Sequence, residues 1–285
     1  MGYAVILNTA SVASTTGGTF ADSLVANSGD SLQVGNYETG GARVFAGWGI
    51  DSAHKAELAW YYTRTGSTPD QTYGIRTQIP STSLGGAGTN AAFDLLGEGP
   101  DIDVFKSDTA TLKVTSTASD AVVVSYLTEY DDLPGVSANF ATWDQVQQYK
   151  QATAGYNCNP VASGTVGAYG TARAVNADDT RWAADTYYAV LGFSVQTQVT
   201  TIALRGYDWG AQLLGCPAGA LYLNTRTWFR DLSIARGKPL IPILNSNNVG
   251  NTFLYVADAA ASTSPKVDIY VYELTGKPPS LTAGG

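Results

Sequence analysis

The stretch 267-VDIYVYEL-274 sets Val267, Ile269 and Val271 on one face and Asp268, Tyr270 and Tyr272 on the other, the period of a half-buried strand. About 144 residues earlier, 123-VVSYLTEYDD-132 has the same rhythm and carries Glu129 where the later stretch carries Glu273. The likeness extends upstream with an offset of about 145. There 46-AGWGIDSAHKAELAW-60 falls on 191-LGFSVQTQVTTIALR-205, each a strand, a polar break and a second strand. Gly47 meets Gly192, Trp48 meets Phe193 and Ile50 meets Val195. Further on, 93-FDLLGEGPDIDVF-105 answers 237-GKPLIPILNSNNV-249, and 109-TATLKVTSTASDA-121 answers 251-NTFLYVADAAAST-263. Four blocks in one order, with length changes confined to turns, indicate a duplicated β domain.

Each half holds roughly eight short strands. In the first half the pattern predicts strands over 22–26, 30–35, 42–51, 55–64, 72–79, 92–96, 101–105, 110–117 and 121–130. Turn signals separate them, among them 27-NSGD-30, 65-TGS-67, 85-GGAG-88 and 97-GEGP-100. Strand counts of this kind suit sandwiches, of which the jelly roll is the common eight-stranded form. Between the halves, Phe140, Trp143, Val146 and Tyr149 recur every three residues, which predicts a helix over 137–153 with Ser137 or Asn139 as its cap and Gly155 past its end. The fold expected is therefore all-β: two consecutive eight-stranded jelly-roll sandwiches joined by a short helix. The expected boundaries are 1–135 for the first, 136–155 for the linker, 156–276 for the second and 277–285 for a flexible tail.

Composition agrees. Charged residues are 14%, aromatics 11%, and the 285 residues include 31 glycines and 17 tyrosines, a profile of strands and turns more than helices. The net charge of −8 argues against a phosphate-binding surface, and the densest basic stretch, Arg226, Arg230, Arg236 and Lys238, is interrupted by Asp231. No apolar run reaches the ~18–20 residues of a membrane-spanning helix. Cys158 and Cys216 make no zinc pattern and no disulfide framework; they read as two buried small residues in a reducing compartment, with a single bridge between them left open. The N-terminus has no basic segment of a signal peptide, and Ile6 stands where a myristoylation site needs Ser or Thr, so synthesis in the cytoplasm is expected.

Catalytic chemistry has little to build on. His54 is the single histidine, too few for a cupin-type metal site and without the G-x-S-x-G elbow of a hydrolase triad. The string 85-GGAGTN-90 lacks a P-loop lysine, and 47-GWGIDS-52 lacks the third glycine of a dinucleotide fingerprint. Asp101 and Asp103 share a predicted strand face near Glu98, and Asp131-Asp132 close the first half. They read as solvated turn acids ahead of a calcium site or a glycosidase pair, since no ligand-loop spacing appears and the second half has Asn245, Asn247 and Asn248 in the equivalent region. No catalytic residue, cofactor or metal is assigned, and the chain is not expected to be an enzyme.

The two blocks 46–130 and 191–274, their closing strands ending on Glu129 and Glu273, and the 137–153 linker resemble the double jelly-roll major capsid proteins of tailless icosahedral viruses. The resemblance covers most of the chain and rests on architecture, with no diagnostic motif. It implies a homotrimer whose six sandwiches form a pseudo-hexagonal tile of an icosahedral shell. It implies location in the virion, and neighbouring trimers, minor capsid or vertex proteins and an inner membrane as partners, with no direct nucleic-acid binding. Subunit contacts are expected to be rich in aromatics. The candidates are Trp60, Tyr61 and Tyr62, Trp182 with Tyr187 and Tyr188, and Trp228 with Phe229, each of which equally suits a core. The alternative is a tandem lectin-like carbohydrate-binding module with Trp48, Trp60 and Trp209 as stacking platforms, and behind it a glycoside-active enzyme using Asp101 or Asp103 with Glu98.

Overall fold

In the computed structural model of the chain, burial along Val267–Leu274 follows the alternation in its sequence: Val267, Ile269 and Val271 are buried, Asp268 is exposed, Tyr270 and Tyr272 are half-buried. The structure describes residues 4–13, 15–16, 21–22, 25–26, 42–45, 50–51, 56–63, 72–79, 89–90, 101–104, 109–116, 121–130, 139–163, 169–195, 199–209, 213–217, 225–258 and 264–279, with most side chains described from residue 139 onward.

The first half holds β1 (Ala4–Ala13), β2 (Thr15–Thr16), β3 (Ala21–Asp22), β4 (Val25–Ala26), β5 (Ala42–Phe45), β6 (Ile50–Asp51), β7 (Ala56–Thr63), β8 (Thr72–Ile79), β9 (Thr89–Asn90), β10 (Asp101–Val104), β11 (Thr109–Ser116) and β12 (Ala121–Tyr130). After it come β13 (Phe140–Ala141), helix α1 (Trp143–Tyr149), β14 (Lys150–Cys158), β15 (Arg173–Ala174), β16 (Tyr187–Val195), β17 (Val199–Gly206) and β18 (Leu213–Pro217). Helix α2 (Trp228–Arg236), β19 (Ile241–Asn245), β20 (Thr252–Asp258) and β21 (Val267–Leu274) complete the second half. The described part of the chain is all-β, with two short helices and a few 3-10 turns.

Pairing is nested. In the first half the outermost strands pair with each other and each inner pair follows: β1 with β12, β3 with β11, β5 with β10, β7 with β8, all antiparallel. The second half repeats the scheme: β14 with β21, β15 with β20, β16 with β19, β17 with β18. In each half two further antiparallel pairings join the nested pairs into sheets, β12 with β5 and β11 with β7, then β21 with β16 and β20 with β17. The resulting orders are β10-β5-β12-β1 and β2-β11-β7-β8 against β19-β16-β21-β14 and β15-β20-β17-β18. Short additions extend them: β4 lies beside β1, β3 also sits on β11, and β13 lies beside β19. The closing strands occupy the same place in both halves. Glu129 stands opposite Val5 and Arg43, and Glu273 stands opposite Ala152 and Tyr188.

The sheets of the second half pack face to face, because residues of both feed one buried cluster. Tyr156, Tyr188, Phe193, Ile243, Ile269 and Val271 come from one sheet, and Ile202, Leu204, Leu214, Cys216, Leu254 and Val256 from the other. Helix α2 adds Trp228, Phe229 and Leu232 to this core. It ends on Gly237, whose φ of 63° is the left-handed conformation that glycine adopts without steric cost, while Lys238 N donates to Ser233 O.

The sequence pattern requires four corrections. First, β1 is a ten-residue strand in a stretch from which no strand was expected. Second, the helix expected over 137–153 is confined to Trp143–Tyr149. Thr142, rather than Ser137 or Asn139, caps it: Gln145 N donates to Thr142 Oγ1 and Thr142 N donates to Gln145 Oε1, a capping box. The apolar face was placed correctly, with Val146 buried and Trp143 and Tyr149 against the core, but from Lys150 onward the backbone pairs with β21 instead of continuing the helix. Third, α2 spans a basic stretch that carried no helical expectation. Fourth, residues 277–279 of the expected flexible tail are docked, with Pro278 buried and Pro279 O accepting from Gln145 Nε2 at 2.9 Å. The strands expected over 30–35 and 92–96 fall outside the described residues.

Because Ile269 is 1% exposed on a strand paired on both sides, Ile269→Ala is expected to lower the unfolding free energy by about 2–5 kcal/mol. Asp268→Ala on the opposite face should cost within about 1 kcal/mol; urea titration of both variants checks the contrast.

Candidate interaction surface

The best-defined aromatic cluster lies where β14, β16 and β21 run side by side. Tyr156 stacks on Trp182 with ring centroids 3.8 Å apart and planes 17° from parallel, and Tyr188 meets both edge-on at 5.7 and 4.9 Å. Tyr156 Oη donates to Glu273 Oε1 at 3.0 Å, so the glutamate that closes the second half anchors this cluster. Burial, then hydrogen bonding to Tyr188 and Glu273, raises the Tyr156 phenol well above its ordinary range. Beside it, Arg181 lies 5.6 Å from the Tyr156 ring centre and donates to Asp179 at 2.6 Å. Asp179 also accepts from Asn157 N, and its carboxyl is held down to about 2, chiefly by the Arg181 hydrogen bond.

The other face of β21 is partly covered. Trp143 of α1 lies 5.9 Å from the Tyr272 ring, Lys150 Nζ sits 3.9 Å above it, and Arg226 and Arg230 approach Tyr270 and Trp143 at 5.8 and 5.7 Å. Ser194 Oγ and Asn157 Nδ2 each donate to Asp268. The basic stretch of the sequence is thus spent partly on aromatic rings, and on the Arg230–Asp231 ion pair at 2.6 Å. Large apolar side chains exposed among the described residues are Val161, Tyr207, Ile234 and Phe253, with Tyr207 at 78%.

Placement of the expected contact residues is mixed. Tyr188, Trp228 and Phe229 are 0%, 1% and 4% exposed, so they build the core and present no surface to a second subunit. The sequence pattern missed this because β16 is buried along most of its length and α2 was not anticipated. Trp182 and Tyr187 are partly buried and pack against the same core. Trp60, Tyr61 and Tyr62 lie on β7, paired with β8 and β11, and their side chains are outside the described set. Trp209 is fully buried, which removes it as a sugar-stacking platform, and Trp48 and His54 lie outside the described residues.

The acids divide similarly. Asp101 and Asp103 sit on β10 opposite Phe45 and Arg43, while Glu98, Asp131 and Asp132 lie outside the described residues. In the second half, buried Asp208 accepts from Asn245 N at 3.0 Å and Asn248 Nδ2 at 2.8 Å, and its carbonyl accepts from Asn139 Nδ2. These asparagines pin the linker to the second half. Among the described residues no group of three or more His, Cys, Asp or Glu side chains converges on a point that would hold a metal. Cys158 and Cys216 are both buried thiols; burial pushes the Cys158 thiol up to about 12 and the Cys216 thiol well up. Burial of this kind disfavours the thiolate, the nucleophilic form. The Asp178-Asp179 pair and Arg181 were not singled out in the sequence; the short acid–acid–x–Arg spacing of 178-DDTR-181 was their available signal.

No protein-family model matches the chain, and no curated protein does. Among solved structures it is similar, at a TM-score of 0.22 and 11% identity, to a chain described with the triple jelly roll fold and turret assembly of an archaeal virus, covering 97% of this chain and 81% of that one. A second similarity, at a TM-score of 0.21 and 7% identity, is to a chain of the T=1 Penaeus vannamei nodavirus, covering 95% and 97%. Scores this low leave fold and role to be argued from the chain's own strand order.

The Asp179 pairing predicts an acid dependence. A carboxyl with a lowered folded-state pKa contributes stability above the unfolded value of ~3.9 and loses it as pH falls toward the folded one. The stability of the second half should therefore decline from about pH 4 down to about 2, and Asp179→Asn should flatten that decline. Denaturant titrations across this range measure both slopes.

Proposed function

We propose that each half is a jelly roll and that the chain is a double jelly-roll capsid subunit, forming pseudo-hexagonal trimers that tile an icosahedral shell. The single observation that supports this reading is the nested pairing repeated in both halves. Eight strands paired first with last, second with seventh, third with sixth and fourth with fifth form one long folded hairpin. Rolling that hairpin brings the eighth strand beside the third and the seventh beside the fourth, as both halves have it. On this reading the first jelly roll is 1–135 and 277–285 is a tail; the linker, expected over 136–155, ends at α1, and the second jelly roll, expected from 156, begins with β14 at Lys150 and runs to 276.

Tandem copies of one sandwich suit a closed ring: three chains then present six similar units, so a trimer has near-sixfold edges without needing six identical chains. The role needs no catalytic centre. Self-contact on this reading uses exposed strand edges and the exposed side chains Tyr207, Ile234 and Phe253, rather than the aromatics buried in the core. The virion is the expected location, with neighbouring trimers, minor capsid or vertex proteins and an inner membrane as candidate partners. The burial of Trp209 weakens the sugar-binding alternative.

Light scattering of the purified protein is expected to give trimers of about 90 kDa, three times the 29.9 kDa chain, and negative-stain images to show hexagonal tiles or shells. A monomer at every concentration and salt condition would overturn the proposal.

A further inference from the structure

Strand β14 is the outer strand of its sheet, so alternate residues point their backbone N–H and C=O groups away from β21 with no ladder partner among the described residues. At the C-terminal end of that row, side chains stand where a strand would. Asn157 N donates to Asp179 Oδ2 at 3.2 Å, Asn159 N donates to Asp178 Oδ2 at 2.8 Å, and Arg181 Nη2 donates to Gly155 O at 2.9 Å. Both carboxylates are held from behind. Arg181 N and Nε donate to Asp179 Oδ1 at 3.1 and 2.9 Å, and Arg173 donates to both oxygens of Asp178.

The first half covers the same stretch with a different device. Running the ladders from Glu129 and Glu273 places Ala10 and Ser11 of β1 at the positions of Asn157 and Cys158 of β14. Ala10 and Ser11 are the residues on which β4 pairs, opposite Ala26 and Val25. One half thus closes the end of its first strand with backbone, and the other closes it with two carboxylates and a guanidinium. The position is shared although the chemistry is not.

We propose that Asp178 and Asp179 are an edge block, which prevents β14 from pairing with a strand of a second copy of this chain and so directs self-association to other surfaces. An incoming strand would bring carbonyl oxygens to amides that already donate to charged acceptors. It would have to displace charge-assisted hydrogen bonds with neutral ones and push aside two ion-paired carboxylates. Without the block, Thr153 to Asn159 would present a run of free N–H and C=O groups suited to adding a strand.

The test compares the full-length protein with Asp178→Ala/Asp179→Ala by native mass over a concentration series, together with amide hydrogen exchange of residues 150–159. The expected result is a concentration-dependent shift of the variant to species larger than wild type, with added amide protection confined to that strand. Thr153→Pro is then introduced in the same background. Thr153 shares the outward register of Asn157, so proline there removes an edge donor without breaking the ladder to β21, and it should reverse the association. Association equal to wild type, or association that Thr153→Pro leaves unchanged, would overturn the proposal. Should the double variant fail to fold, Asp178→Ala alone, which frees the Asn159 amide and the Arg173 guanidinium and leaves Asp179 on Asn157, is put through the same series.

Discussion

Everything else in the second half depends on the ladder between its first strand and its last. β14 and β21 are joined along nearly their whole lengths, and β21 is paired on its other side with β16, so the final strand lies inside its sheet. Closing a ladder across more than a hundred residues costs chain entropy before any core forms. That cost is offset by the buried row Val267, Ile269 and Val271, which faces Ile202, Leu204 and Val256 of the opposite sheet across one core. The same closure operates in the first half, where β1 runs the full length of β12. Such long-range pairing predicts slow folding relative to helical proteins of similar size.

That closure also accounts for the polar structure around it. Glu273 occupies the end of β21 and accepts from Tyr156, which brings the stacked Trp182 and the edge-on Tyr188 into one cluster. Asn157 and Asn159 follow on the outer strand, and their amides reach the two carboxylates of the 173–181 segment. A strand on the margin of a sheet is a standing opportunity for unwanted pairing, and the fold answers it within the same few residues that close the sandwich. At the other end of β14 the chain arrives from α1, and the C-terminal segment returns over that helix, with Thr275 N donating to Tyr149 O. First strand, last strand, linker helix and C-terminal segment are thus held together as one corner of the domain.

Legibility in the sequence followed composition and turn signals. The expected 72–79 and 121–130 coincide with β8 and β12, two runs rich in β-branched and aromatic residues that stop at Pro80 and at Asp131-Asp132. The strand that opens the second half was not legible. In β14, Lys150 and Gln151 are exposed and the alternation that follows is carried by the small residues Ala152 and Ala154 before Tyr156 and Cys158 are buried, so its period is faint and the helix expected from the linker runs on across it. Three of the aromatic candidates, Tyr188, Trp228 and Phe229, proved to be core for a related reason. A tyrosine or tryptophan has the same sequence signature whether it fills the core, as Tyr188 and Trp228 do, or stands in solvent, as Tyr207 does.

What the sequence by itself determined is the repeat, the all-β class and the amphipathic face of the linker, since each is a periodicity that the chain carries locally. The tertiary structure alone decided which strands are neighbours, that the first strand of each half exists, that Asp208 binds Asn139 and Asn248, and that two adjacent aspartates stand at a sheet edge. Those are relations between residues tens to more than a hundred positions apart. A hydrogen bond or a ladder between such residues exists only once the sandwich has closed, and no local pattern of apolar and polar residues encodes it.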